Sequence, residues 1–301
     1  MGRMGLKRLS PRAMPALILS ANLPDIDSFV ARAFGAEPIA AHRGFTHGVG
    51  GLVTMPFLAV AIILGWERLW RGKESTLKLG GLLIACFVAT LSHPALDFLN
   101  TYGTRIAEPL SHGWFYGDTL FIVDPWIWIM LILGLEMSWR AERLGRNWTR
   151  PAMWAFGAVL GYIGLNAAIS LRAVALTRPL VERVAPPRAI VASEVPLEFW
   201  KRRIIWRGDA IGGSGAYEPL KGLNHAELDP AIVPLRMDDR RLALAASRDR
   251  HVRAFLFWSR MPMVLVEDGR AFLTDQRFYG RGGPARSAGF LIPLDNPHPS
   301  S

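Results

Sequence analysis

The sequence predicts a mainly α-helical, polytopic membrane bundle followed by a small, mixed β soluble domain. Three observations carry that reading. Half of the 301 residues are hydrophobic and the mean hydropathy is +0.20, more apolar than an average soluble chain. The apolar residues gather in four runs, 48–66, 79–99, 119–139 and 152–176, each near the ~20 residues that a span needs. After Pro186 polar and apolar residues mix, with no further run of that length. The expected domains are therefore 1–180, in the membrane, and 184–301, soluble.

Taken in order, the first apolar run, 13–23, is too short to span by itself. Arg3, Lys7, Arg8 and Arg12 precede it. A cleaved signal peptide is not expected, because Leu19-Ser20-Ala21 fits a cleavage site poorly. Arg68, Arg71, Lys73 and Lys78 lie between spans one and two, and Arg140, Arg143, Arg146 and Arg150 between spans three and four. Short basic loops belong on the cytoplasmic side. The loop 100–118 has Arg105 as its sole Lys or Arg and belongs outside. Trp66, Trp70, Trp139 and Trp154 then fall at the inner interface, and Trp114 and Trp126 near the outer one. These loops account for much of the net charge of +10, so no nucleic-acid partner is expected; the bilayer is. The single cysteine, Cys86, lies in a span and forms no intrachain disulfide. In the tail, 189–195, 203–206, 242–246, 254–258, 263–267 and 271–274 read as strands separated by Gly and Pro clusters. That domain carries no chemical motif and is expected outside.

The polar residues give the functional signal. His93-Pro94-Ala95-Leu96-Asp97 ends the second run. His and Asp inside a membrane are costly and are usually retained for function. Four residues apart on a helix, they share one face, which suits metal ligation or a proton relay. The basic loops put Asp25, Asp27, His42, His47, His93, Asp97, His112, Asp118 and Asp124 all at the outer face. None of these residues was used to set the topology, so their convergence is an independent argument for one site. His42 and His47, about 140° apart on a straight helix, need a turn, for which Gly44 is suited. Pro94 predicts a kink or a new helix start. Asp124 before Pro125 predicts a break in the third run. Singly, each residue has a plainer use: Asp25, Asp27 and Asp118 as caps, Arg43 snorkelling to lipid phosphate, His112 in water. Together, with His93 and Asp97 in a span, they point to a site.

Four motifs resemble the YdjM-like family of inner-membrane proteins, regarded as metal-dependent hydrolases: LPDID at 23–27, HRGFTH at 42–47, SHPALDFLNTYGT at 92–104 and DTLFIVDPW at 118–126. The resemblance covers residues 5 to 176, with the downstream domain fitting the longer members. It implies an inner-membrane protein; with the basic loops inside, the chain is expected to be multi-pass with its C-terminal domain in the periplasm. It also implies a metal site at Asp25 or Asp27, His42, His47, His93, Asp97, and Asp118 or Asp124. More remotely, the arrangement is similar to zinc-dependent phospholipases C and P1-type nucleases, an analogy of chemistry alone. Family members begin with a further helix bearing an Asp-x-x-Thr-His motif, whereas this chain starts at Met1-Gly2-Arg3-Met4. The resemblance therefore implies a start site assigned too far downstream, or a variant lacking one ligand.

Imidazoles and carboxylates without thiolates suit zinc first, with manganese or iron next, and the surplus of carboxylates suits two ions. In this reading His42, His47, His93 and Asp97 hold metal, with Asp124 a further candidate ligand. One of Asp25, Asp27, Asp118 and Asp124 bridges ions or acts as general base. Arg43 binds phosphoryl oxygens. The expected substrate is a phosphoester, lipid or lipid-linked, at the outer surface. The alternative is a non-catalytic ion or proton transporter. It is the weaker reading, because the ionisable groups sit at one end of the spans rather than through their depth.

Overall fold

The computed structural model describes residues 1–71, 76–279 and 290–295; Lys73 of the predicted basic loop lies outside them. Contacts divide the chain into two compact units, Met1–Leu165 and Asn166–Ser301.

The upstream unit is helical. Helix α1 (Ala13–Asn22) passes through a 3-10 turn, Leu23–Asp25, into α2 (Ile26–Ala33) and the short α3 (Pro38–Ala41). Then follow α4 (Val49–Arg71), α5 (Leu79–Phe98), α6 (Pro125–Arg143) and α7 (Thr149–Glu182), whose last half enters the downstream unit. Helix α1 packs against α4 and α5 through small side chains: Ala13, Ala16, Ala85 and Ala89 are fully buried. Small residues let helices approach closely where lipid offers no hydrophobic drive. Pro94 lies inside α5, which runs through it without ending, so no new helix starts there.

Among the described residues three helices, not four, are long and apolar enough to cross a membrane: Val49–Trp70, Leu79–Phe98 and Thr149–Glu182. The run 119–139 is cut at both ends. Thr119–Asp124 stay in the loop, and Glu136, Arg140, Glu142 and Arg143 occupy the last turns of α6. Its uninterrupted apolar stretch, 125–135, is about half of what a span needs. The helix nonetheless connects two ends of the unit that differ in chemistry. At one, Thr119 N–H donates to Leu99 O (2.7 Å) beside the end of α5. At the other, Lys7 pairs with Glu142 (3.2 Å) and Arg12 with Glu67 near the end of α4 (2.9 Å).

The downstream unit holds two antiparallel sheets. β1 (Ala189–Glu194), β2 (Arg202–Arg207), β3 (Ile211–Tyr217) and β4 (Ala226–Pro234) form a meander in that order. After α8 (Arg240–Arg248) and α9 (Arg250–Trp258) come β5 (Pro262–Glu267), β6 (Arg270–Asp275) and β7 (Ile292–Pro293). Two predicted strands, 242–246 and 254–258, are helices. Asp239 and Asp249 cap them by accepting from Arg241 N–H and His251 N–H. Leu242 and Ala245 are buried three apart, at helical rather than strand spacing.

Candidate metal centre

The site begins with the turn His42–His47. Arg43 takes a left-handed backbone, φ 60°, costly for a side chain with a Cβ. The expected turn residue, Gly44, has another role. A Cβ there would run into the Arg105 guanidinium and crowd Ala41 O, so a side chain would have to push Arg105 aside. Arg105 fastens this segment by donating to Ala40 O (2.7 Å), while its backbone N–H donates to Arg43 O (2.9 Å). Gly51 in the first turn of α4 lies so close that a Cβ would meet Thr46 O at 2.0 Å. These contacts drive His47 fully inside.

Four residues from three separate segments converge there. His47 Nε2 lies 3.5 Å from Asp25 Oδ1 and 3.3 Å from Asp97 Oδ2. His93 Nε2 lies 3.1 Å from Asp25 Oδ1 and 3.7 Å from Asp97 Oδ2. All four ligand atoms fall within 4.8 Å of one another, and the cluster could hold a metal ion. Two observations support that fit. His47 Nε2 is buried without a hydrogen-bond partner, a situation that native structures avoid unless an ion or water completes it. A tetrahedral ion with bonds of about 2.0–2.2 Å sets its ligand atoms roughly 3.3–3.6 Å apart, which brackets the mean of the four spacings.

The surrounding contacts orient the donors. His93 Nδ1–H donates to Ala21 O (2.6 Å), which leaves Nε2 facing the cluster. The other face of His47, Nδ1, lies 3.3 Å from Asp27 Oδ2. Carboxylate and carbonyl partners of this kind fix the tautomer of a ligating imidazole. Asp27 is itself heavily engaged, accepting from His42 Nδ1 (2.8 Å), Arg43 N–H (3.0 Å) and Thr46 Oγ1 (2.8 Å). Arg43 donates through Nη2 to Asp97 Oδ1 (2.9 Å) and through Nη1 to Asn100 Oδ1 (2.9 Å) and Gly103 O (3.2 Å). Its guanidinium is therefore turned into the protein, onto a cluster carboxylate.

The electrostatics follow from this crowding. The His47 and His93 imidazoles beside it hold the Asp25 carboxyl well below the usual carboxylate range. Burial works against the charge on Asp27, yet His42, His47 and Thr46 hold it low as well. Burial likewise opposes protonation of His47, but Asp25, Asp27 and Asp97 outweigh it and raise its pKa to about 10. An ion bound there would have to displace that proton.

The remaining predicted residues stand apart from the four. Asp27, His42 and His47 form a second group of ligand atoms within 4.8 Å, sharing His47 with the first. Asp118 sits at a left-handed turn, φ 46°, and belongs to neither group. Asp124 caps α6 by accepting from Trp126 N–H and Ile127 N–H and also takes Tyr162 OH (2.9 Å). His112, mostly exposed, contacts Glu108. Asn100 and Thr46 serve the site although sequence reasoning does not single them out. Both lie inside the motifs, where a polar residue near a ligand was the available signal.

The model of the YdjM inner membrane protein family matches residues 1–173. The chain is similar to the uncharacterized protein YfhP of Bacillus subtilis (strain 168), 28% identical over 82% of this chain and 70% of that protein. It is similar also to the inner membrane protein YbcI of Escherichia coli (strain K12), 28% identical over 46% of this chain and 90% of YbcI. No solved structure matches, so the analogy with phospholipases C and P1-type nucleases has no structural support. With a family match over more than half its length, the chain belongs to the YdjM family of inner membrane proteins.

Proposed function

We propose that the protein is a membrane-bound, metal-dependent hydrolase of phosphoesters, lipid or lipid-linked, acting at the periplasmic face of the inner membrane. The observation that supports it most is the orphaned, buried His47 Nε2 within a set of two imidazoles and two carboxylates. Asp25, His47, His93 and Asp97 hold the ion. A divalent ion there, zinc first by donor chemistry and manganese or iron next, supplies polarisation of a phosphoryl oxygen and a lowered pKa for bound water.

The chain's own residues do the rest. His42 is the proton carrier. Its Nδ1–H donates to Asp27 (2.8 Å), which orients the ring and leaves Nε2 as the accepting atom, the arrangement that positions a general base. Asp27 serves as the orienting carboxylate for His42 and His47 together. Arg43 keeps Asp97 in place. Asp25, half exposed, marks the open side where substrate enters. The basic loops, which belong in the cytoplasm, support the periplasmic side for the site and, with α6 counted as a crossing between the two ends of its unit, for the downstream domain. A transport role would require ionisable groups along the spans. No charged residue or histidine lies between His47 and Glu67, or between Lys78 and His93.

The test separates base from ligand. Purified full-length protein is assayed for bound metal and for hydrolysis of bis-p-nitrophenyl phosphate and of phospholipid, wild type against His42→Asn. Metal content should be unchanged and turnover should fall about 10²–10⁴-fold. Loss of metal would make His42 a ligand. Wild-type protein that binds metal but cleaves neither substrate would remove the phosphoesterase reading.

A further inference from the structure

Helix α2 starts inside the Asp/His cluster and shows the solvent an apolar face. Ile26, Phe29, Val30 and, just past its end, Phe34 are exposed, Phe29 to 72% and Phe34 to 85%. At about 100° per residue these four occupy an arc of roughly 140°. Asp27 and Ala31 turn inward, Asp27 onto His42 and Thr46 and Ala31 into the protein. Arg32 is exposed on the remaining flank.

The level of this face follows from what its first turn touches. Asp25 Oδ1 is 3.1 Å from His93 Nε2, and His93 is in the last turns of α5, one of the three helices fit to cross a membrane. So α2 leaves the cluster at the level where a span ends, the boundary between hydrocarbon and water. Leu91 and Leu96, exposed near the same end of α5, extend apolar surface to that level. Four side chains are far fewer than the 20–30 residues per side of a stable protein interface, which argues against a second copy as the cover. A short helix with an apolar face and a flanking arginine suits the bilayer interface, lying in its plane with the apolar side among the acyl chains.

We propose that α2 is an in-plane anchor seated in the lipid leaflet on the site's side. Through Asp25 and Asp27 it holds the cluster at headgroup level. The anchor stands on geometry and membrane residence alone, and holds whether or not the site hydrolyses anything.

The test is nitroxide accessibility in the full chain, in nanodiscs of phosphatidylcholine and phosphatidylglycerol. In a Cys86→Ala background, single variants Phe29→Cys, Phe34→Cys and Arg32→Cys carry the label. These side chains are exposed, so the label leaves the core untouched. Expected at 29 and 34 is collision with oxygen well above collision with nickel-EDDA, and the reverse at 32. Nickel access at all three positions would show a solvated face and overturn the anchor. So would low access to both reagents with dipolar broadening at 29 and 34, the signature of a second copy.

Discussion

The two units each bury charge, and they do so on opposite plans. In the downstream unit Asp275 is fully buried and its oxygens are all used. It accepts from Arg277 through the backbone N–H, Nε and Nη2, from Ser259 Oγ and from Met261 N–H. Arg277 in turn lies over the Trp258 and Phe278 rings. Burial pushes the Asp275 carboxyl up, but the Arg277 charge and these hydrogen bonds hold it low. In the upstream unit Asp25 and Asp97 converge on two imidazoles, and His47 Nε2 is left without a hydrogen bond. A buried charge that closes on itself fixes a fold. A set of donors gathered round a buried, unsatisfied nitrogen is one that could hold an ion. Counting buried charges would not separate the two; their satisfaction does.

The largest effect should come from breaking the open set. His93→Ala removes one of four ligand atoms and frees Ala21 O. Metal per chain should fall to background, and hydrolysis with it, because a ligating imidazole is held by the ion and its outer partners. The thermal midpoint of the metal-free protein should fall only modestly, by the loss of the donor to Ala21 O. Unchanged metal with a depressed midpoint would make His93 a structural histidine and erase the contrast between the units.

Breaking the closed pair should give the opposite pattern. Arg277→Ala strands Asp275 in the interior, and removing one partner of a buried pair costs about 3–5 kcal/mol. Chemical denaturation followed by a signal from the downstream unit should report that loss, with metal content unchanged. A loss under about 1 kcal/mol, the scale of an exposed pair, would mean that water reaches Asp275 and that the pair is not closed.

An intermediate effect belongs to Asp27, which touches the open set from outside. Asp27→Asn keeps the volume and removes the charge behind His47 and His42. Removing the carboxylate behind a ligating imidazole costs about 10–100-fold in metal affinity or activity. Titration with a competing chelator measures it. A complete loss of metal would make Asp27 a direct ligand.

What could be read from the sequence divides along the range of the interaction. The pairing of His93 with Asp97 is local, four residues on one helix, and so is visible. The approach of Asp25 to His93 spans 68 residues and depends on α1 packing against α5, which no periodicity encodes. The sequence points to Gly44 for the turn because glycine is the usual bearer of positive φ. The structure gives the positive φ to Arg43, and Gly44 answers instead to Arg105 packing over it. In the tail, the helices at Leu242 and Phe255 read as strands because short apolar runs fit both periods. The glycine-rich β3, Ile211–Tyr217, escapes detection because three glycines suppress the strand signal.

The smallest effect tests the edge of the open set. The sequence places Asp124 among the candidate ligands, because it lies in a motif at the outer end of an apolar run. In the structure its Oδ1 accepts from Trp126 N–H (3.0 Å) and Ile127 N–H (3.2 Å), and Oδ2 takes Tyr162 OH. The two backbone contacts are those of an N-cap, which accepts from the first unpaired N–H groups of a helix. Asp124→Ala should therefore cost about 1 kcal/mol and leave metal per chain unchanged. Asp124→Asn should recover most of the stability, since asparagine caps as well as aspartate. The two variants separate the roles because a cap needs an acceptor oxygen, whereas a ligand in this set needs the charge. If Asp124→Asn kept the midpoint of the wild type and metal still fell, Asp124 would join the cluster although its contacts lie outside it, and the boundary between the satisfied and the unsatisfied charges would have to be redrawn.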